Sequence, residues 1–252
     1  MRTKKLISIL IAVAFVFVTV FSIVAMFSTK KVEVTFAVDV DTDTVAVQRE
    51  LDKFLGSNLL FLDVEAVEKQ MQGFHYMKIL SVDKVYPNVL KVNIEERREI
   101  YEIANNGTIY VTTEDGFVLR TFTDNGVEND RDLIRLELSG VEVLDATLGK
   151  TISTSADDVL QAVFKMATKV QLTNCIKYVN VRKTLLMQDA EFYTYTGVKI
   201  IVREILDDGV GKIEEAFKKY DEVASDYEKT FRTIEVFRLT ETGEIIAQWT
   251  NN

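Results

Sequence analysis

One histidine, one cysteine, one proline and one tryptophan serve a chain of 252 residues. Each scarcity removes a class of chemistry. The lone cysteine, Cys175, excludes an internal disulfide framework. The lone histidine, His75, excludes multi-histidine metal sites and leaves little material for a nucleophile–base–acid triad. Basic residues are also short: 30 Lys and Arg stand against 39 Asp and Glu, a formal charge of −9. A nucleic-acid partner would need a basic face to neutralise phosphates, so that class is disfavoured. No internal repeat and no low-complexity linker interrupts the sequence.

What is present begins with a long apolar run. Residues 6–27, LISILIAVAFVFVTVFSIVAMF, carry no charge. As a helix they would extend about 33 Å, enough for a hydrocarbon core of about 30 Å. The run is too long for a signal-peptide core, and no small-x-small cleavage pattern follows it. The expectation is an uncleaved anchor over 6–27 behind a cytoplasmic tail, residues 1–5. Arg2, Lys4 and Lys5 precede the span and Lys30 and Lys31 follow it, a slight positive-inside bias. No later stretch could span, which places everything from Lys31 onward on one side, outside the cell.

Beyond the anchor the pattern reads as a small β-α-α-β-β unit over 32–98. VEVTFAV (32–38) alternates as a strand. Val47, Leu51, Phe54 and Leu55 fall at helical spacing within 44–56, and Gly56 stops that helix. Asp63 caps a second helix over 64–72, with Gly73 ending it. Strands over 77–86 and 89–96 meet at YPN, where Pro87 suits the turn. Two helices over one face of a three-stranded sheet make an α+β layer.

From residue 99 to 252 the pattern becomes a mainly antiparallel β-domain with two helices. A meander with turns at NNG and EDG is followed by a polar loop (123–132) and a strand, LIRLELSG. Ser155 opens a helix with Asp158 at capping-box spacing, and Val159, Leu160, Val163, Phe164, Ala167 and Val170 form its apolar face. Strands are expected over 176–182, 184–189, 191–196 and 198–203. A helix over 210–223 and strands over 232–239 and 244–249, joined at ETG, complete the chain.

Several stretches invite a chemical reading. Asp39, Asp41, Asp43 and Glu50 repeat the carboxylate spacing of an EF-hand loop. However, Thr44 stands where that loop needs glycine, Val47 is not an oxygen ligand, and a strand precedes the stretch. A strand-to-helix junction capped by Asp43 or Thr44 explains the same aspartates. GVGK (209–212) resembles the end of a P-loop, but Leu206 stands in place of its first glycine and Ile213 in place of Ser or Thr. His75 reads as a surface or satisfied histidine, and Cys175 as a buried structural thiol. The pairs Glu95–Glu96 and Glu214–Glu215 point apart and read as surface charge. No metal, cofactor, small-molecule substrate or catalytic residue is assigned. Trp249 is either core packing or a partner surface.

The run VDKVYPNVLKVNIEERREIYEI (82–103) resembles the bacterial cell division family FtsQ/DivIB, whose pattern is roughly V-x-R-x-x-P-x-x-L-x-I-x-V-x-E-R-x-P. Val82, Pro87, Leu90, Val92, Ile94, Glu96 and Arg97 fit, Lys84 replaces the usual arginine, and Glu99 stands where proline is common. Gly56, Asn58, Leu59 and Asp63 resemble the family's G-x-N-L-x-x-x-D segment, and IYVTTEDGFVL its following strand pair. The resemblance implies that residues 32–98 are a POTRA domain and that the protein is a non-enzymatic, single-pass membrane scaffold of the division septum. It also implies binding to FtsB/DivIC-type and FtsL-type small coiled-coil proteins, with a partner strand added to the end of the β-domain. TIEVFRLTETGEIIAQW resembles the family's V-D-L-R-x-x-x-G-x-x-x-x-W segment, with one residue inserted on each side of the glycine. The partner-binding residues so implied are Ile234, Glu235, Val236, Arg238, Gly243 and Trp249, together with Arg203 after the strand VKIIV. The alternative is an extracytoplasmic sensor or transport adaptor built on a POTRA-like domain.

Overall fold

The structure, a computed structural model, describes residues 2–37, 44–124, 133–169, 175–223, 229 and 231–250, with side chains from Leu10 onward. It divides into two compact units, Met1–Arg97 and Arg98–Asn252.

The first unit opens with α1, Arg2–Met26, a helix of 25 residues. Every side chain from Leu10 to Met26 is exposed. Among the described residues no helix is long and apolar enough to cross a membrane. The span expected from the sequence starts at Leu6, ahead of the first described side chain.

Alternation then builds the small sheet. In β3 (Val89–Glu96), Leu90, Val92 and Ile94 are fully buried while Lys91 faces water. β1 (Lys31–Phe36) runs parallel to β3, pairing Val32 with Leu90 and Val34 with Val92. β2 (Met77–Val85) is antiparallel to β3 on its other side, with an irregularity between Ile79 and Ser81 that leaves Leu80 exposed. The helices close one face through Val47 and Leu51 of α2 (Thr44–Leu51) and Val67 of α3 (Val64–Gln70). Asp63 caps α3 by accepting from the Glu65 N–H at 3.1 Å. The first helix is shorter than its apolar spacing predicts. It tightens into a 3-10 turn over Asp52–Phe54, and Gly56, at φ +83°, turns the chain away.

The second unit is a nine-stranded sheet with helices on one face. Its strands are β4 (Tyr101–Asn105), β5 (Thr108–Thr112), β6 (Val118–Thr123), β7 (Ile134–Ser139), β10 (Ile176–Lys183), β11 (Gln188–Thr194), β12 (Lys199–Val202), β13 (Thr233–Arg238) and β14 (Ile245–Thr250). A separate two-stranded piece, β8 (Val143–Asp145) with β9 (Ser153–Thr154), has no counterpart in the sequence reading. The spatial order is β14-β13-β12-β11-β10-β7-β4-β5-β6. The sheet is antiparallel except that β7 lies parallel to both β4 and β10, and β12 parallel to β13. Two of these parallel pairs explain the helices. Parallel neighbours need a crossover, and α4 (Asp157–Lys169) supplies it from β7 to β10, as α5 (Gly209–Asp221) does from β12 to β13. Val159, Leu160, Val163 and Phe164 of α4 and Ile213 and Ala216 of α5 pack into the core, where Phe164 stacks on Tyr101 at 4.9 Å.

Two local expectations shift. The expected strand over 184–189 is a turn followed by the start of β11. The Thr184 N–H donates to the Met187 carbonyl at 2.8 Å and the Thr184 hydroxyl accepts from the Met187 N–H at 3.0 Å, leaving Leu185 and Leu186 in solvent. The cap of α4 lies one residue earlier than predicted. The Thr154 hydroxyl accepts from the Ala156 N–H, and Asp157 reaches back to the Thr154 N–H. Ser155 instead accepts from the Glu142 N–H at 2.9 Å. Val170 and most of the polar loop, residues 125–132, lie outside the described residues.

A candidate docking edge

β14 is the terminal strand of the large sheet. Its six residues, IIAQWT, contain no charge and no proline, and its pairing with β13 is regular from Thr233↔Thr250 to Arg238↔Ile245. Edge strands are normally blunted by lysine, proline, bulges or shortness, because unpaired N–H and C=O groups template another strand. Here none of the first three devices is present.

The seven residues implied by the family resemblance all fall on β12–β14 or their ends, but they divide by face. Ile234 and Val236 are fully buried in the core, so their side chains have nothing left to offer a partner. Glu235 points to the opposite face, where it accepts from Arg203 Nε at 2.8 Å. Arg203 Nη1 also donates to Asp189 Oδ2 at 2.7 Å. These two hydrogen bonds, the one to Asp189 first, raise the Arg203 pKa above its ordinary value. Arg203 and Glu235 therefore form one outward-facing cluster.

Arg238 belongs to a second cluster at the hairpin turn. Its Nε donates to Asp207 Oδ2 at 2.9 Å, its Nη2 to Asp208 Oδ2 at 3.2 Å and its Nη1 to the Gly243 carbonyl at 2.6 Å. Gly243, at φ +72°, sits in open space, so its role is the backbone conformation of the turn. Trp249 lies opposite Ile234, half-buried and packed against the core, with the Arg232 guanidinium 4.3 Å from its ring centre. It thus serves core packing and remains partly accessible.

Sequence reasoning missed the group that joins these clusters. Lys212 is fully buried. Its ammonium donates to the carbonyls of Arg203 (3.0 Å) and Glu204 (3.1 Å) and to Asp207 Oδ2 (3.2 Å). The GVGK stretch is accordingly the first turn of α5. Asp208 caps it by accepting from the Gly211 N–H at 3.1 Å, and a Cβ on Gly211 would lie 2.7 Å from that carboxylate. The available signal was Asp207-Asp208-Gly209 ahead of a helical pattern, which marks a cap and not a phosphate cradle.

The remaining candidates resolve individually. Asp39, Asp41 and Asp43 lie outside the described residues. Glu50 accepts from Lys53 and Gln70, and these bonds hold its carboxyl below the usual range. His75 is half-buried, and its Nδ1 is buried without a hydrogen-bond partner among the described residues, contrary to a satisfied histidine. Cys175 is half-buried, with burial and then Asp221 raising its thiol to about 11. Glu95 lies 3.8 Å from Lys78, Glu214 3.7 Å from Lys169 and Glu215 2.8 Å from Lys218, all surface pairs.

No curated protein matches the chain. The solved major extracytoplasmic domain of the trans isomer of the bacterial cell division protein DivIB, from Geobacillus stearothermophilus, is similar at 14% identity over 53% of this chain and 95% of that one. Its TM-score of 0.29 is too low for that likeness to carry weight. Residues 27–97 match the family model for the POTRA domain of the FtsQ type. That stretch covers Gly56, Asn58, Asp63, Pro87 and Arg97, which carried the resemblance read from the sequence. Residues 27–97 therefore form an FtsQ-type POTRA domain, the domain that the resemblance to the FtsQ/DivIB family implied for this stretch.

Proposed function

We propose that this protein is a non-enzymatic scaffold of bacterial division that binds small coiled-coil division proteins of the FtsB/DivIC and FtsL type by strand addition at β14. It is anchored in the plasma membrane by residues 6–27, with residues 1–5 cytoplasmic and both folded units outside, enriched at the septum. The observation that carries the reading is the uncharged, regular edge of β14 beside two arginine clusters. Main-chain pairing at such an edge supplies affinity, and flanking side chains supply selection. Arg203 and Arg238 would exchange their intramolecular carboxylates for those of the partner, which suits an acidic residue on the incoming strand. The apolar face of α1 supports the anchor.

The test is capture of a purified FtsB/DivIC-type protein by the detergent-solubilised full chain. Arg203→Gln and Arg238→Gln should each weaken capture about tenfold or more, as expected for loss of charged hydrogen bonds. The circular dichroism spectrum should be unchanged. Full capture by the double variant would overturn the docking site. A fluorescent fusion should form a septal ring, whereas uniform membrane signal would favour the sensor or adaptor reading.

A further inference from the structure

Three segments converge where α1 ends. Leu59 N–H donates to the Phe27 carbonyl at 2.9 Å, and Asn58 Nδ2 donates to the Val24 carbonyl at 2.7 Å, so the 58–62 turn closes the last turn of the helix. Gly56 N–H donates to the Thr29 carbonyl and the Thr29 N–H donates to the Ser57 carbonyl, both at 2.8 Å, fixing the approach to that turn. From the other side, Lys30 N–H donates to the Asn88 carbonyl at 2.8 Å, and the Tyr86 ring meets Phe27 edge-on at 5.7 Å. The helix end is therefore bonded into the domain rather than joined to it by a free linker.

Several of the large side chains these segments turn outward are apolar. Leu55, Leu60, Phe61, Val85 and Tyr86 are all exposed, Phe61 at 77% and Tyr86 at 53%. A buried core does not need them, since Leu59, between Asn58 and Leu60, already fills that role at 0%. The bonds from Asn58 to Val24 and from Leu59 to Phe27, with the Tyr86–Phe27 ring contact, place these exposed side chains as a collar beside the end of α1. A contiguous exposed apolar patch on a domain requires an occupant.

We infer that this collar seats the POTRA domain in the headgroup–acyl boundary of the bilayer that α1 spans. The inference rests on the anchor reading above. The occupant follows from position: exposed Leu60, Phe61 and Tyr86 lie at the end of a helix whose exposed apolar surface is read as lipid-facing, so the next environment they meet is the membrane interface. The residue types agree. Tyr86 offers an apolar ring and a hydroxyl tip, the combination enriched at membrane interfaces. Lys30, exposed beside it, can lay its stem along the apolar surface and lift its ammonium to the phosphates. The consequence is orientation. A domain held by one helix alone would swivel, whereas one held by a helix and a collar presents a fixed face.

Trp249 is the only tryptophan, so Trp249→Phe gives a silent background for a fluorescent probe. Phe61→Trp and, separately, Tyr86→Trp are placed in that background, and the full chain is reconstituted into phosphatidylcholine–phosphatidylglycerol nanodiscs. Both probes should emit to the blue of solvent-exposed tryptophan and should lose most of their emission when the lipids are brominated near the headgroup end of the acyl chains. Water-like, unquenched emission from both probes, with the protein still resistant to alkaline extraction, would overturn the collar and leave the anchor standing. Extraction of the chain from the membrane would remove both. Blue emission that bromine does not quench would mean that protein covers the patch, and would also overturn the inference.

Discussion

Lys212 and Arg238 meet on a single carboxylate, that of Asp207, at 3.2 and 2.9 Å. One partner is wholly buried and the other partly exposed. The pair links the interior of the second unit to the turn of its outermost hairpin. Lys212→Met retains the volume but leaves the Arg203 and Glu204 carbonyls without their donor. Each buried carbonyl stripped of its partner costs about 1–3 kcal/mol. Urea unfolding of the variant should show a lower midpoint with an unchanged slope. An unshifted midpoint would mean that water replaces the ammonium at no cost.

A second prediction concerns acid. Glu191, 4% exposed on β11, is held by Lys199 (3.0 Å), Arg182 (3.2 Å) and the Tyr193 hydroxyl (3.0 Å). Burial acts to raise its pKa, but the bonds from Lys199 and Tyr193 and the two cations outweigh it, and the net shift is downward. A carboxylate with a depressed folded pKa contributes stability that is complete above its unfolded value, about 4.3. That stability is lost as pH falls through the folded value. Glu191→Gln should therefore lower the urea midpoint at pH 7, and the gap to the parent should close between about pH 5 and pH 3. A gap that is constant across that window would contradict the assignment.

Two glycines with the same φ provide a third test. Gly107 and Gly140 both sit at +75°, but a Cβ on Gly107 meets open space, whereas one on Gly140 would lie 2.1 Å from the Lys183 carbonyl oxygen. Gly107→Ala should cost about 1–2 kcal/mol, the strain of left-handed backbone alone. Gly140→Ala should cost clearly more, because Lys183 ends β10 beside β7 and the backbones must separate. Equal melting temperatures for the two variants would sink the argument.

The legible parts of the fold are those written in local periodicity. Leu90, Val92 and Ile94 announce β3, and Val159, Leu160, Val163 and Phe164 announce α4, because burial on one face leaves a period in the sequence. Thr184–Met187 misled because Leu185 and Leu186 look like strand residues, and only the Thr184 hydroxyl signals the turn. The proposed docking edge was suggested by resemblance, not by local physics. Nothing local distinguishes the buried Val236 from an interface residue, since alternation shows that two faces exist without saying what covers each. Lys212 was illegible for a related reason: its partners are main-chain carbonyls, and a sequence does not display where carbonyls point.

The last prediction separates edge pairing from side-chain recognition at β14. Ile246 lies opposite Phe237, on the same face as the Arg203–Glu235 cluster and partly exposed. Lysine on an edge strand is a natural device against strand addition, because an incoming strand must bury its charge or bend away. Ile246→Lys leaves Ile234 and Val236 in the core and touches neither Arg203 nor Arg238. It should change stability by no more than about 0.5 kcal/mol, as for a surface substitution. If the partner adds a strand at β14, capture of an FtsB/DivIC-type protein should fall sharply despite the intact arginines. If the partner reads only the arginine clusters, capture should persist. Measured beside Arg203→Gln, the substitution shows whether main-chain pairing or ion pairing holds the complex.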